Sequence, residues 1–145
     1  MQWLFFPLAL VAGTLMVVQA GCNGALEKAL DRPVMVGAVS LGIGVTALLA
    51  VGLMFGQFSP SGAGKAPWWA WLGGICGAAA LLSQPIAAPR LGAAIYIGLF
   101  VSASSIASVV VDHFGVLGFP EHGAGPGRII GCALMVIGIG LISVF

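Results

Sequence analysis

The chain has 145 residues, of which 60% are hydrophobic and 6% are charged, with a formal net charge of +1. Soluble domains carry about 25% charged residues, so this composition excludes an ordinary water-soluble domain and indicates a protein surrounded by lipid. The small net charge and the lack of a basic run exclude a nucleic-acid-binding surface.

The charged residues are confined to a few places and leave five uncharged stretches between them. These places are Glu27, Lys28, Asp31 and Arg32, then Lys65, Arg90, Asp112, Glu121 and Arg128. A membrane-spanning helix needs about 20 apolar residues, and each stretch can supply one. We therefore predict an all-α membrane protein with a single five-helix domain over residues 1–145. Its transmembrane spans are expected near 3–24, 34–56, 68–85, 91–111 and 127–145.

The first span carries two amides in an otherwise apolar sequence. No Lys or Arg precedes it, so we expect a retained helix rather than a cleaved signal peptide. Gln19 and Asn23 are four residues apart and share one helix face. Amides in lipid need water or a partner, and hydrogen bonding to a neighbouring helix is the alternative to binding a solute. Ser40 of span two lies at the same end of the bundle. We predict that these three residues line a binding site for a small polar solute.

Proline and glycine predict where the helices begin and end. Pro33 and Pro126 stand where spans two and five start, and Pro67 where span three starts. Pro85 and Pro89 are expected to bracket a short turn between spans three and four. Gly115 is expected to end span four as a left-handed cap. GxxxG pairs are expected to form helix contacts; they are Gly52/Gly56, Gly73/Gly77 and Gly127/Gly131.

Span four combines a serine-rich face with a titratable end. Ser104, Ser105 and Ser108 are candidates for lining the solute pathway, although serine also bonds its own helix or a neighbouring one. Asp112 and His113 follow at the helix C-terminus, where the helix dipole favours a cation. We consider them candidate coupling or gating groups, with an interfacial anchor for the helix end as the alternative.

The loops and aromatic residues predict how the chain lies in the membrane. With five spans, the N-terminal side (side A) carries Lys65 and Arg128, and the opposite side (side B) carries three basic residues. So small a difference specifies orientation weakly. The tryptophans all lie at side A; they are Trp3, Trp68, Trp69 and Trp71. Because aromatic belts normally occupy both interfaces, we predict that two copies pair antiparallel and form a ten-helix dimer.

Several mechanisms are disfavoured by what the spans lack. No span has a charged residue near its middle, which disfavours a voltage sensor, a proton wire and a proton-for-cation antiporter. The sequence contains no GxSxG, HExxH or CxxC motif, so we predict no enzyme, no cofactor and no metal site. Three cysteines in apolar stretches are expected to be buried packing residues.

Several strings of the sequence form a recognisable set. They include Pro67-Trp68-Trp69-Ala70-Trp71-Leu72-Gly73-Gly74 and Asp112-His113-Phe114-Gly115, with Arg128 and Gly131 following. Together they resemble the YdcZ family, half-length members of the drug/metabolite transporter superfamily. The resemblance covers essentially the whole chain. It implies five-helix subunits that pair antiparallel in a bacterial inner membrane. The sequence departs from the family's pattern at Ala103-Ser104, where family members often have Gly-Gln.

These observations lead to three functional hypotheses. The first is a secondary transporter that moves a small polar metabolite across the inner membrane by alternating access. Its partners would be the solute, the lipid bilayer, and a second copy of itself or a paralogous subunit. The alternatives are a dual-topology channel and a non-transporting membrane scaffold.

Overall fold

The computed structural model describes Trp3, residues 5–57 and residues 64–145, and these residues form helices and turns. A short 3₁₀ helix, Trp68–Leu72, precedes the third of five α-helices. All five are long and apolar enough to cross a membrane, which confirms the predicted number of spans. The α-helices are α1 Phe5–Leu30, α2 Pro33–Met54, α3 Gly73–Leu91, α4 Ala93–Phe114 and α5 Pro126–Val144.

Most of the predicted boundaries agree with the structure. Pro33 and Pro126 are the first residues of α2 and α5, where the missing N–H breaks no helical hydrogen bond. Gly115 ends α4 with φ 59° and ψ 32°, as expected for a left-handed cap. Pro67 precedes the 3₁₀ helix in extended conformation.

Two helix ends differ from the prediction. The expected turn at Pro85 and Pro89 is wrong, because α3 continues through both prolines to Leu91. Membrane helices tolerate proline where neighbouring groups satisfy the freed carbonyls. The turn is made instead by Gly92, whose φ of 85° is left-handed. Helix α1 also runs to Leu30 rather than to residue 24. Its last turns contain Glu27 and Lys28, and long charged side chains near a helix end can reach the membrane interface.

The chain divides into two compact units, residues 1–90 and 91–145. In the first, α1 and α2 form a hairpin, and α3 contacts α2 at Gly37. A Cβ at Gly37 would lie 3.5 Å from Leu82 Cδ1, which is ordinary van der Waals contact. In the second, α4 and α5 form a hairpin in which Gly98 lies against Ile139. A Cβ at Gly98 would overlap Ile139 Cδ1, so any larger residue here would force the Ile139 side chain to move.

Other small residues do not behave as predicted within the described chain. A Cβ at any glycine of the Gly73/Gly77 and Gly127/Gly131 pairs would meet open space, so the helix contacts expected of these pairs are not made there. The cysteines were expected to be buried, but Cys22 and Cys76 are exposed. In a membrane-spanning helix such positions are free to face lipid, which is as apolar as a protein core.

Candidate functional site

The first unit contains a hydrogen bond between two amide side chains, which we call the amide bridge. Asn23 of α1 donates from Nδ2 to Oε1 of Gln84 on α3, at 2.8 Å. The two residues are 1% and 4% exposed. Each lies seven residues before the last residue of its helix (30 − 23 and 91 − 84). At 1.5 Å per residue this places both about 10 Å inside the side B ends.

The amide bridge leaves two polar groups unused. Asn23 and Gln84 make no other side-chain hydrogen bond with the described residues, so Asn23 Oδ1 and the Gln84 amino group stay unpaired there. Yet no fully buried side-chain nitrogen or oxygen among the described residues lacks a partner. The two unused groups therefore keep a small solvent-accessible surface, although both residues are nearly buried.

The other two predicted lining residues of the first unit, Gln19 and Ser40, are only partly buried. Gln19 is half-buried and lies one turn before Asn23 on the same face of α1. Ser40 on α2 is also half-buried. Within the described chain neither side chain makes a hydrogen bond to the amide bridge. The structure thus pairs Asn23 with Gln84, and leaves Gln19 and Ser40 with their polar groups available.

Gln84 was not among the predicted lining residues. It is followed by Pro85, which is fully buried and lacks an N–H, so the Leu81 carbonyl has no α-helical donor. The sequence did contain a signal for this position, which is an uncharged amide next to a proline inside an apolar stretch. Proline within a membrane-spanning stretch is typical of transporter sites.

The serines of α4 make a different kind of contact. Ser104 Oγ donates to the Val101 carbonyl at 3.0 Å, and Ser108 Oγ donates to the Ser104 carbonyl at 2.8 Å. Both residues are exposed and bond their own helix, which is the alternative weighed for them above. Ser105 is half-buried, whereas Ser102 of the same helix is buried at 7% exposure.

The C-terminal end of α4 is tied to the following connection. Arg128 Nη1 donates to Asp112 Oδ2 at 3.2 Å, with the two side chains 41% and 30% exposed. The His122 N–H donates to the Asp112 carbonyl at 2.7 Å, and the Ala124 N–H donates to His113 Nδ1 at 3.2 Å. Asp112 and His113 therefore hold His122, Ala124 and Arg128 against the helix end, and their role as couplers or gates stays a prediction.

A family model described as "Putative inner membrane exporter, YdcZ" matches residues 4–141, which is nearly the whole chain. The chain belongs to the YdcZ family. Like the family, it is a multi-pass inner membrane protein, and this description supports a membrane transporter role rather than an enzymatic one. This YdcZ family member has no significant match among curated proteins or among solved structures.

Proposed function

We propose that the chain is a secondary transporter that carries a small polar metabolite across the inner membrane by alternating access. The observation that supports this most is the amide bridge. Two nearly buried amides with unused polar groups, inside helices that cross the membrane, are costly unless they serve a solute or water. Gln19 and Ser40 add uncharged polar groups at the same end of the first unit.

The transporter is proposed to work as an antiparallel pair of this chain. Side A carries Lys65 and Arg128, whereas the three basic residues of side B are Lys28, Arg32 and Arg90. Trp68 and Trp71 are 75% and 64% exposed in the 3₁₀ helix at side A. Residues three apart share a face of a 3₁₀ helix, so these two indoles form one interfacial anchor. An inverted copy would supply the anchor missing from side B.

The end of α4 is proposed as the gate or coupling element of this transporter. The Asp112–Arg128 ion pair and the Ala124-to-His113 hydrogen bond close the α4–α5 connection. Both contacts are made by partly exposed polar groups, so a local change at one group can break them. Opening of this connection would accompany exposure of the pathway to side A.

Counterflow tests the proposal. Purified protein is placed in liposomes loaded with a ¹⁴C-labelled small-molecule extract of cells, and efflux is followed with and without unlabelled extract outside. A carrier gives saturable efflux that the outer extract accelerates. A channel would give fast efflux without acceleration, and a scaffold would give no efflux beyond that of protein-free liposomes. Either result would overturn the proposal.

A matched pair of variants locates the pathway. Gln19→Ala should reduce counterflow several-fold, because it removes an unpaired amide one turn from Asn23. Thr14→Val is the control, since Thr14 Oγ1 donates to the carbonyl of Leu10 in its own helix at 3.0 Å. Full counterflow in a well-folded Gln19→Ala protein would remove Gln19 from the pathway.

A further inference from the structure

We infer that the amide bridge recognises its solute through a neutral group that carries a hydrogen-bond acceptor and a donor side by side, as in a carboxamide or ureido group. The inference rests on the proposed transport function and names the substrate class of the same site. It starts from the single hydrogen bond between Asn23 and Gln84.

The pattern of unused groups follows from the chemistry of the pair. An amide side chain has one carbonyl oxygen and one amino group. When one amide donates to the other, the donor residue keeps its carbonyl and the acceptor residue keeps its amino group. This result is the same whichever way round the two amides are oriented. The bridge therefore keeps one wholly unused carbonyl and one wholly unused amino group, here Asn23 Oδ1 and Gln84 Nε2, in addition to the second N–H of Asn23 and the second lone pair of Gln84 Oε1.

The surroundings of the bridge favour a neutral solute. The nearest charged residues along α1 are Glu27 and Lys28, a turn or more beyond Asn23, and α3 has no charge before Arg90. A carboxylate could accept from Gln84 but would repel the Asn23 oxygen. An ammonium group could donate to Asn23 but would oppose the Gln84 amino group. A carboxamide can satisfy both groups at once, and needs no counter-charge in a region where charge is costly.

The length of the site is extended by Gln19. It lies one turn towards side A from Asn23 on the same face, and its amide is unpaired among the described residues. A solute held by the bridge can therefore make further neutral hydrogen bonds in that direction. This again favours a polar, uncharged compound over an ion.

The test uses three compounds that differ in one group. Isobutyramide, isobutyrate and isobutylamine have nearly the same shape but are neutral, negative and positive. Each is added to the purified full-length protein, and the rise in Tm and the inhibition of ¹⁴C-extract counterflow are measured against concentration. The amide should act at concentrations at least about tenfold lower than either charged compound, because each charged compound leaves a buried group unpaired.

Two double variants separate recognition from structure. Asn23→Leu/Gln84→Met replaces both partners by apolar groups of similar shape, which is close to neutral for folding. It should fold and lose the preference for the amide. Asn23→Gln/Gln84→Asn exchanges the two side chains, keeps one donor and one acceptor, and should restore the preference. A bridge that is merely structural would leave the preference unchanged in both.

The results distinguish this inference from the transport proposal. Saturable counterflow that all three compounds inhibit equally, or that a charged compound inhibits best, would overturn the inference and leave the transporter standing. Absence of counterflow would overturn the transporter. In that case an amide-specific rise in Tm that is lost in the Leu/Met variant would still support the recognition chemistry, and its absence would overturn that as well.

Discussion

The polar groups of α1 and α3 are used differently from those of α4. Asn23 and Gln84 bond across two helices and are nearly buried, whereas Ser104 and Ser108 bond carbonyls of their own helix and are exposed. An amide side chain has both a carbonyl and an amino group to satisfy, so a bond to its own helix backbone leaves one of them over, whereas a serine hydroxyl can donate to a carbonyl of its own helix. The comparison teaches that an amide inside an apolar span indicates a polar contact between helices, and that a serine-rich face does not by itself indicate one.

The largest expected effect comes from breaking the amide bridge from one side. Gln84→Leu leaves the Asn23 amide nearly buried without a partner, which should lower the free energy of unfolding by about 1–3 kcal/mol and abolish counterflow. Equilibrium unfolding in mixed micelles measures the change in the free energy of unfolding, and the liposome assay measures the loss of counterflow.

Ser104→Ala is the matched change in α4. Its hydroxyl bonds only its own helix among the described residues, so the free energy of unfolding should change by less than about 0.5 kcal/mol. Equal losses in Gln84→Leu and Ser104→Ala would contradict the distinction drawn between the two regions.

The second unit depends on a close helix approach rather than on a polar bridge. Gly98→Ala would place a methyl group on Ile139 and should cost about 1–3 kcal/mol. Adding Ile139→Ala should recover part of this loss, because it removes the overlapping atoms. Gly138→Ala, which meets open space, is the control and should be neutral or stabilising by about 0.5–1 kcal/mol. Equal destabilisation by the two alanines would refute the close contact at Gly98.

The next effect concerns the hydrogen bond at the end of α4. His113 Nδ1 accepts the Ala124 N–H, so removing this acceptor breaks the hydrogen bond. His113→Ala should therefore lower the hydrogen-exchange protection factor of the Ala124 amide several-fold, after correction for the intrinsic exchange rate. In His113→Gln, whose side-chain carbonyl can accept the same N–H, most of the protection should remain. Unchanged protection in His113→Ala would exclude His113 as the group that holds this connection.

The smallest effect is expected at the ion pair. Asp112→Asn should cost about 0.2–1 kcal/mol, because both partners are partly exposed and solvent screens their attraction. High salt should reduce the difference. Glu121→Gln changes the charge equally and touches no ion pair among the described residues, so it should have almost no effect. A loss as large as that of Gln84→Leu would show a buried, rather than an exposed, pair.

The helices could be predicted from the sequence because charges and length determine which stretches can lie in lipid. All five spans follow from the uncharged stretches, and the starts at Pro33 and Pro126 follow from proline's missing N–H. The prediction of a turn at Pro85 and Pro89 was wrong, because proline marks a helix end less reliably in a membrane than in water.

The polar contact between α1 and α3 could be predicted only in part. The cost of an amide in lipid indicates that Asn23 needs a partner, but that partner, Gln84, lies 61 residues away, and no periodicity within one helix predicts such a pairing. Ser104 and Ser108 were proposed to line the pathway from composition alone. Their hydroxyls turned out to be used on their own helix, which a sequence pattern cannot distinguish from exposure to a solute.

The central claim is that this chain transports as an antiparallel pair of itself, and the orientation of its C-terminus tests it most directly. Reporters that are active on only one side of the membrane are fused after Phe145 in cells that make no related subunit. The account predicts both orientations in similar amounts, together with counterflow by the purified protein. A single orientation in a protein that still shows counterflow would contradict the antiparallel pair.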